Sequence, residues 1–213
     1  APGTLEAPIN VTESTFDDVD VALNSFAVYL ESISGASTLS ITHSTLVGGL
    51  GVAQLNNTGV TLNHSIFWTP ANPDRAVTAV TGAGTMNISW SLSSGVSHAF
   101  LVQGTGVHLG VTDPGLNALA NNGGPTLTRL PTDTSAAHNS GNPAIVGAPA
   151  NDQRGAGFSR VVQTIDIGAV EIQTLALAAT GITVTPRLPL TGLLLILLGI
   201  AGIVFEYRRT RSI

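Results

Sequence analysis

Apolar residues alternate with Ser, Thr or Asn in four stretches of the chain: INVTESTF (9–16), LSITHSTL (39–46), VTLNHSIF (60–67) and MNISWSLS (86–93). Period-2 alternation predicts strands with one buried face. A second set of strands precedes the last three: AVYLES (27–32), GVAQLN (51–56) and AVTAVT (76–81); AFLVQG (99–104) then precedes VHLGV (107–111). Val28, Val52 and Val77 are 24 and 25 residues apart, and Phe100 follows 23 later. Glycine-containing turns join strand to strand. A unit this short cannot bury its own apolar face, but it can when stacked on its neighbours.

The expectation is therefore an all-β chain, a right-handed parallel β-helix (solenoid). Val, Leu and Ile lie inside, Thr, Ser and Asn outside. Val28, Val52 and Val77 should form one inward stack, and Ile41, Leu62 and Ile88 another. An antiparallel sandwich also places strands at such spacing and is the competing arrangement.

Ser14, Ser44, Ser65 and Ser91 fall in one column, with Glu13, His43, His64 and Trp90 beside them. Two histidines without a column of carboxylates make a poor metal site. The column reads as a ladder of polar residues at a rung corner, bonded to one another and to backbone. Asn10, Asn56, Asn63 and Asn87 stand in Asn-x-Ser/Thr triplets, which strands of this composition produce in any case.

From Thr112 the pattern changes. Asp-Pro-Gly (113–115) and Asn-Asn-Gly-Gly-Pro (121–125) favour tight turns. Four motifs follow one another over about 60 residues: Asp113-Pro114-Gly115-Leu116, Asn122-Gly123-Gly124-Pro125-Thr126, Asp152-Gln153-Arg154-Gly155, and Asp166-Ile167-Gly168-Ala169 with Glu171. In their order and spacing they resemble the module that ends bacterial choice-of-anchor (Q-type) surface proteins, whose upstream part is a right-handed parallel β-helix. Ala136, His138 and Asn139 depart from that family's Ser-Pro-Ala-Ile-Asp-x-Gly turn, and the cysteines that relatives carry near Asp-Gln-Arg-Gly are missing. The resemblance implies a structural role for Asp152, Arg154, Asp166 and Glu171. Read alone, paired carboxylates suit glycosidase acid–base work. The competing reading is an ion-pair and hydrogen-bond network that caps the last rung, with Arg154 bridging carboxylates.

Composition narrows the function. There is no cysteine and no lysine; all eight basic residues are Arg, and the net charge is −5. Before the last eight residues the chain carries 12 acids against five Arg, or −7. Phosphate backbones call for a basic patch, so no nucleic acid is expected as partner. No catalytic, cofactor-binding or metal residues are assigned, and no cofactor is expected. Neither Gly-x-Ser-x-Gly, His-Glu-x-x-His nor a phosphate loop appears. Asp74 and Arg75 share the loop PANPDR without a second acidic cluster nearby.

The chain closes on RLPLTGLLLILLGIAGIVFEYRRTRSI (187–213). Counted back to Leu188, the apolar run through Phe205 gives a helix of about 27 Å, near the bilayer's roughly 30 Å core. Arg208, Arg209 and Arg211 then mark the cytoplasmic side. Leu188-Pro189-Leu190-Thr191-Gly192 fits the Leu-Pro-x-Thr-Gly signal of sortase substrates. The tail equally resembles the proline-started, arginine-ended sorting tails of relatives in Gram-negative bacteria. APGTLEAPINV (1–11) has no initiator Met, basic region or apolar region, which leads to the expectation of a longer precursor.

The organisation expected is 1–112 β-helix rungs, 113–173 closing module, 174–187 linker and 188–213 transmembrane or sorting tail. The function expected is an exported, surface-anchored, adhesin-like binding or structural module. Its location would be the cell surface, held at cell membrane, cell wall or outer membrane. Its partners would be membrane or wall through the tail, and glycans or neighbouring cell surfaces through the body. The alternative is a β-helix polysaccharide lyase or glycoside hydrolase, with its site in these or in preceding rungs.

Overall fold

A computed structural model describes residues 8–17, 26–34, 38–56, 59–81, 84–97 and 101–173. The tail motif Leu188–Gly192, Arg208, Arg209, Arg211 and the apolar run between them lie outside the described residues, as do the whole linker (174–187) and Phe100. Among the described residues no helix is long and apolar enough to cross a membrane. They fall in one compact unit, Ala1–Thr174.

The described chain is all-β, with a 3-10 turn at Pro73–Arg75. Its strands form three sheets, and each strand pairs with the one three places further along. The first sheet runs β1 (Ile9–Thr12), β4 (Leu39–Thr42), β7 (Gly59–Asn63), β10 (Thr85–Ser89) and β13 (Leu101–Gln103). The second runs β2 (Thr15–Asp17), β5 (Thr45–Val47), β8 (Ile66–Trp68), β11 (Leu92–Ser93) and β14 (His108–Leu109). The third runs β3 (Val28–Ser34), β6 (Leu50–Asn56), β9 (Val77–Thr81) and β12 (Val96–Ser97). Every pairing between these strands is parallel. Segments 39–46 and 60–67 thus pair side by side and parallel, not as the hairpin a sandwich needs.

Each alternating stretch is two strands, not one. A bend at Glu13, His43, His64 and Trp90 sends the chain from the first sheet into the second. All four residues have positive φ, between 45° and 47°, a left-handed conformation uncommon outside glycine. The serine that follows stabilises the bend. Ser14, Ser44, Ser65 and Ser91 each donate Oγ–H to the carbonyl two residues back, at 2.8–2.9 Å. The same hydroxyls link neighbours: Ser44 N–H donates to Ser65 Oγ (3.1 Å) and Ser65 N–H to Ser91 Oγ (3.2 Å). The polar corner ladder is therefore real, and its repeat is the period seen in the sequence.

The core lies between the three sheets. Ile41, Leu62 and Ile88 stack in register and are buried, as expected. Leu39, Val60 and Met86 form a second buried row. The valine stack is corrected by two residues: Val28 pairs with Leu50, which pairs with Val77, while Val52 lies opposite Leu30 and Ala79. Equal spacing along the chain hid this, because the turns before β6 and β9 differ in length. Gly48-Gly49 turns tightly before β6, both with positive φ, and a Cβ on Gly49 would lie 2.6 Å from Ala76 O. The loop carrying Pro73–Arg75 makes the same connection before β9. A second correction concerns AFLVQG: Leu101–Gln103 pairs with β10 in the first sheet, and β12 is the fourth member of the third.

Candidate functional site

The second sheet has two faces. Phe67 and Leu46 point into the core, whereas Ile66 and Leu92 join a separate buried cluster with Ala137 and Ile167, bordered by Trp68, Val111 and Leu116. Segment 113–173 covers this outer face. The sequence reading places that segment over the last rung; its contacts place it along the side of the strands, reaching the first repeat. Arg129 pairs with Asp17 through Nε (2.6 Å) and Nη2 (3.2 Å). Thr15 Oγ1 donates to Gln153 Oε1 at 2.6 Å. Ala169 N–H donates to Thr45 Oγ1 (3.1 Å) and Gly168 N–H to His64 O (2.8 Å). Ile66 and Leu92 are apolar on an outward face because this segment takes them out of water.

Asp152, Arg154, Asp166 and Glu171 come together inside that segment, all buried. Arg154 Nε and Nη2 reach the Asp152 carboxylate, with Nη2–Oδ2 at 2.6 Å, and Nη2 also donates to Glu171 O. Its guanidinium lies over the Phe158 ring, 4.1 Å from the centroid. The expected bridge between carboxylates does not form; Arg154 holds one carboxylate and the carbonyls of Glu171 and Asn122. The acids serve the backbone. Glu171 Oε1 accepts from Val162 N–H (2.9 Å) and Oε2 from Asp166 N–H (2.8 Å). Asp166 Oδ1 accepts from Asn139 N–H (2.6 Å) and Oδ2 from Ile172 N–H (2.7 Å). Asp152 Oδ2 accepts from Glu171 N–H (2.9 Å). In a segment with little regular structure, these side chains replace the ladder that backbone amides otherwise need.

Where the segment meets the corner ladder, a second polar group is buried. Glu13, His43 and His64 face Arg160, which is fully buried and whose importance nothing in the local sequence FSR signals. Arg160 Nη2 donates to Asp166 O (2.9 Å) and Gly168 O (2.7 Å), and Nη1 lies 3.5 Å from Glu13 Oε2. Glu13 Oε1 lies 3.4 Å from His43 Nδ1. The imidazoles of His43 and His64 are 5.0 Å apart, and Trp90 stacks beyond at 6.3 Å. His64 Nε2 accepts from Asn142 N–H at 3.0 Å, which fixes that nitrogen as unprotonated. Glu13, which the sequence already places in this column, is the one carboxylate that these contacts bring to the imidazoles; a column of carboxylates does not form. No three His, Asp or Glu among the described residues are grouped to hold a metal ion.

Burial sets the charge states here. It pushes the Glu13 carboxyl up to about 7, against the opposing pull of Arg160. It pushes Glu171 up to about 8 and raises Asp166, in each case against backbone donors that favour the anion. It lowers His43 to about 3 and His64 to about 4, helped by the charge of Arg160. Both imidazoles are neutral at pH 7.

Asp74 and Arg75 sit apart, in the 3-10 turn before β9, with the Arg75 guanidinium over the Phe26 ring. No family model, curated protein or solved structure matches the chain.

Proposed function

We propose that this chain is the body of an exported, surface-anchored module of choice-of-anchor type, built as a right-handed parallel β-helix and presenting an adhesin-like binding or structural surface. Three parallel sheets with every third strand paired, and apolar columns running between them, support the β-helix reading. The observation that carries the functional reading is the outer face of the first sheet. One row across it is Asn10, Ser40, Thr61 and Asn87; the next is Thr12, Thr42, Asn63 and Ser89. Neighbours along the second row bond to each other, Thr42 Oγ1 to Thr12 Oγ1 (3.3 Å) and Ser89 Oγ to Asn63 Oδ1 (3.4 Å). Hydroxyls and amides thus repeat at strand spacing, about 4.8 Å, with no charge among them. Such a face suits a neutral polymer such as a glycan. Meanwhile Asp152, Arg154, Arg160, Asp166 and Glu171 are engaged by backbone amides and carbonyls and, for Asp152 and Arg154, by each other, which favours a scaffold over turnover.

Two experiments test this. The protein is applied to a glycan array beside the double variant Thr61→Arg/Asn87→Arg; binding of neutral glycans that the variant loses is expected. Equal binding by both removes this face as the surface, and turnover of acidic or neutral polysaccharides would favour the enzymatic alternative. For anchoring, the chain is expressed in a surface-displaying host with and without residues 188–213. Release on deletion is expected, and unchanged retention refutes anchoring. A mature C-terminus at Thr191, read by mass, would assign the sortase route.

A further inference from the structure

With neither cysteine nor lysine, this chain can tie distant parts together through neither a disulfide nor a lysine amide. Thr15 and Gln153 are 138 residues apart, yet Thr15 Oγ1 lies 2.6 Å from Gln153 Oε1. A hydroxyl oxygen so placed is about 3–4 Å from the carbonyl carbon, close to the separation from which a bond-forming attack starts. Both partners are held. Thr15 opens β2, in ladder with Thr45. Gln153 is fixed twice: its backbone N–H donates to Ala169 O (3.1 Å) and its Nε2 to Thr126 Oγ1 (3.0 Å). Two residues before Thr15, the Glu13 carboxyl is shut off from water against the Gln153 backbone amide, with His43 Nδ1 3.4 Å away.

We propose that Thr15 and Gln153 form a side-chain ester, made by the folded chain itself. Thr15 Oγ1 bonds to Gln153 Cδ, and the Cδ–Nε2 bond breaks. The nitrogen leaves as ammonia, carrying its own two hydrogens and the proton of the Thr15 hydroxyl. No oxidant, reductant or further reactant is consumed. The hydroxyl proton already points at Oε1, which polarises the carbonyl, and Thr126 stands beside the departing nitrogen to relay a proton. Glu13, pushed up to about 7, exchanges protons readily at neutral pH. The product fastens β2 to segment 113–173 and closes a long loop, which restricts the unfolded chain as a disulfide does.

The test is the mass of the purified full chain and an arginine-specific digest. The expected result is a molecule lighter than its sequence by one ammonia, with the peptide ending at Arg75 joined to peptide 130–154. Thr15→Ala and Gln153→Ala each restore the full mass and separate the peptides, whereas Thr15→Ser keeps the link. Wild-type protein at its full sequence mass overturns the proposal. So does an ammonia loss that persists in Thr15→Ala, which would place it at an asparagine instead. Because the decisive reading is on the wild-type chain, a variant that fails to fold does not protect the idea.

Discussion

Replacing Leu62 by Ala, with Thr61→Ala as its partner, tests the inward and outward assignment at one point of the chain. Leu62 sits in the middle strand of the first sheet, with Ile41 on one side and Ile88 on the other, and is 0% exposed. Thr61, one residue earlier, faces water. Truncating Leu62 removes three carbons from a column clamped on both sides by parallel ladders, so the backbone cannot close the gap. A buried Leu→Ala change costs about 2–5 kcal/mol, rising with the cavity that remains. The clamped position argues for the upper half of that range. In a domain of this size each kcal/mol lowers Tm by about 2–4 °C, so a fall of roughly 8–15 °C is expected. Thr61→Ala removes a solvated hydroxyl and should stay within about 0.5 kcal/mol. Thermal and urea unfolding followed by circular dichroism measure both. Equal shifts for the two variants, or a larger one for Thr61→Ala, would refute the register and with it the placement of the core between the sheets.

Ser65→Ala removes an acceptor from Ser44 N–H and a donor to Asn63 O; leaving a buried amide unpaired costs about 1–3 kcal/mol, and hydrogen exchange at Ser44 should quicken if the ladder reading is right. Arg160→Ala should cost about 3–5 kcal/mol in urea unfolding, since it strands two carbonyls and Glu13; adding Glu13→Gln should recover part of the loss, and strict additivity would disprove their coupling. The pH profile of stability should be a plateau with two falling sides. His43 and His64, lowered in the fold, contribute stability present above 6.5 and lost as pH falls through about 4 and about 3. Glu13 and Glu171, raised in the fold, contribute stability present below 4.5 and lost as pH rises through about 7 and about 8. Between 4.5 and 6.5 the two pairs oppose each other; a steady climb in Tm from pH 4 to pH 9 contradicts these burial effects.

Much of the strand architecture was legible in the order of residue types. Period-2 alternation marks which side chain faces in, and it placed Ile41, Leu62 and Ile88 in one column because their three strands bend at the same Ser-containing corner. That corner repeats as a two-residue signal, a left-handed residue followed by Ser, so alignment of the serines was enough to fix register in the first sheet. The third sheet was less legible. Nothing local relates Val28 to Leu50 instead of Val52, since the offset comes from a glycine pair in one connection and a Pro-containing loop in another.

Asp152, Arg154, Asp166 and Glu171 stood out as charged residues in turn-rich sequence, but what each one holds was decided by folding. Their partners are mainly backbone amides, and amides look the same at every position. The role of Arg160 was invisible for a related reason. A guanidinium becomes a buried anchor only when a remote piece, the Glu13–His43–His64 corner, closes over it beside the nearby carbonyls of Asp166 and Gly168. The outward apolar pair Ile66 and Leu92 likewise breaks the alternation for no reason that the strand itself contains. Alternation follows from short-range geometry and is written along the chain. The contact between the outer face of the second sheet and residues 113–173 joins positions as far apart as Thr15 and Gln153, and only the tertiary structure decides it.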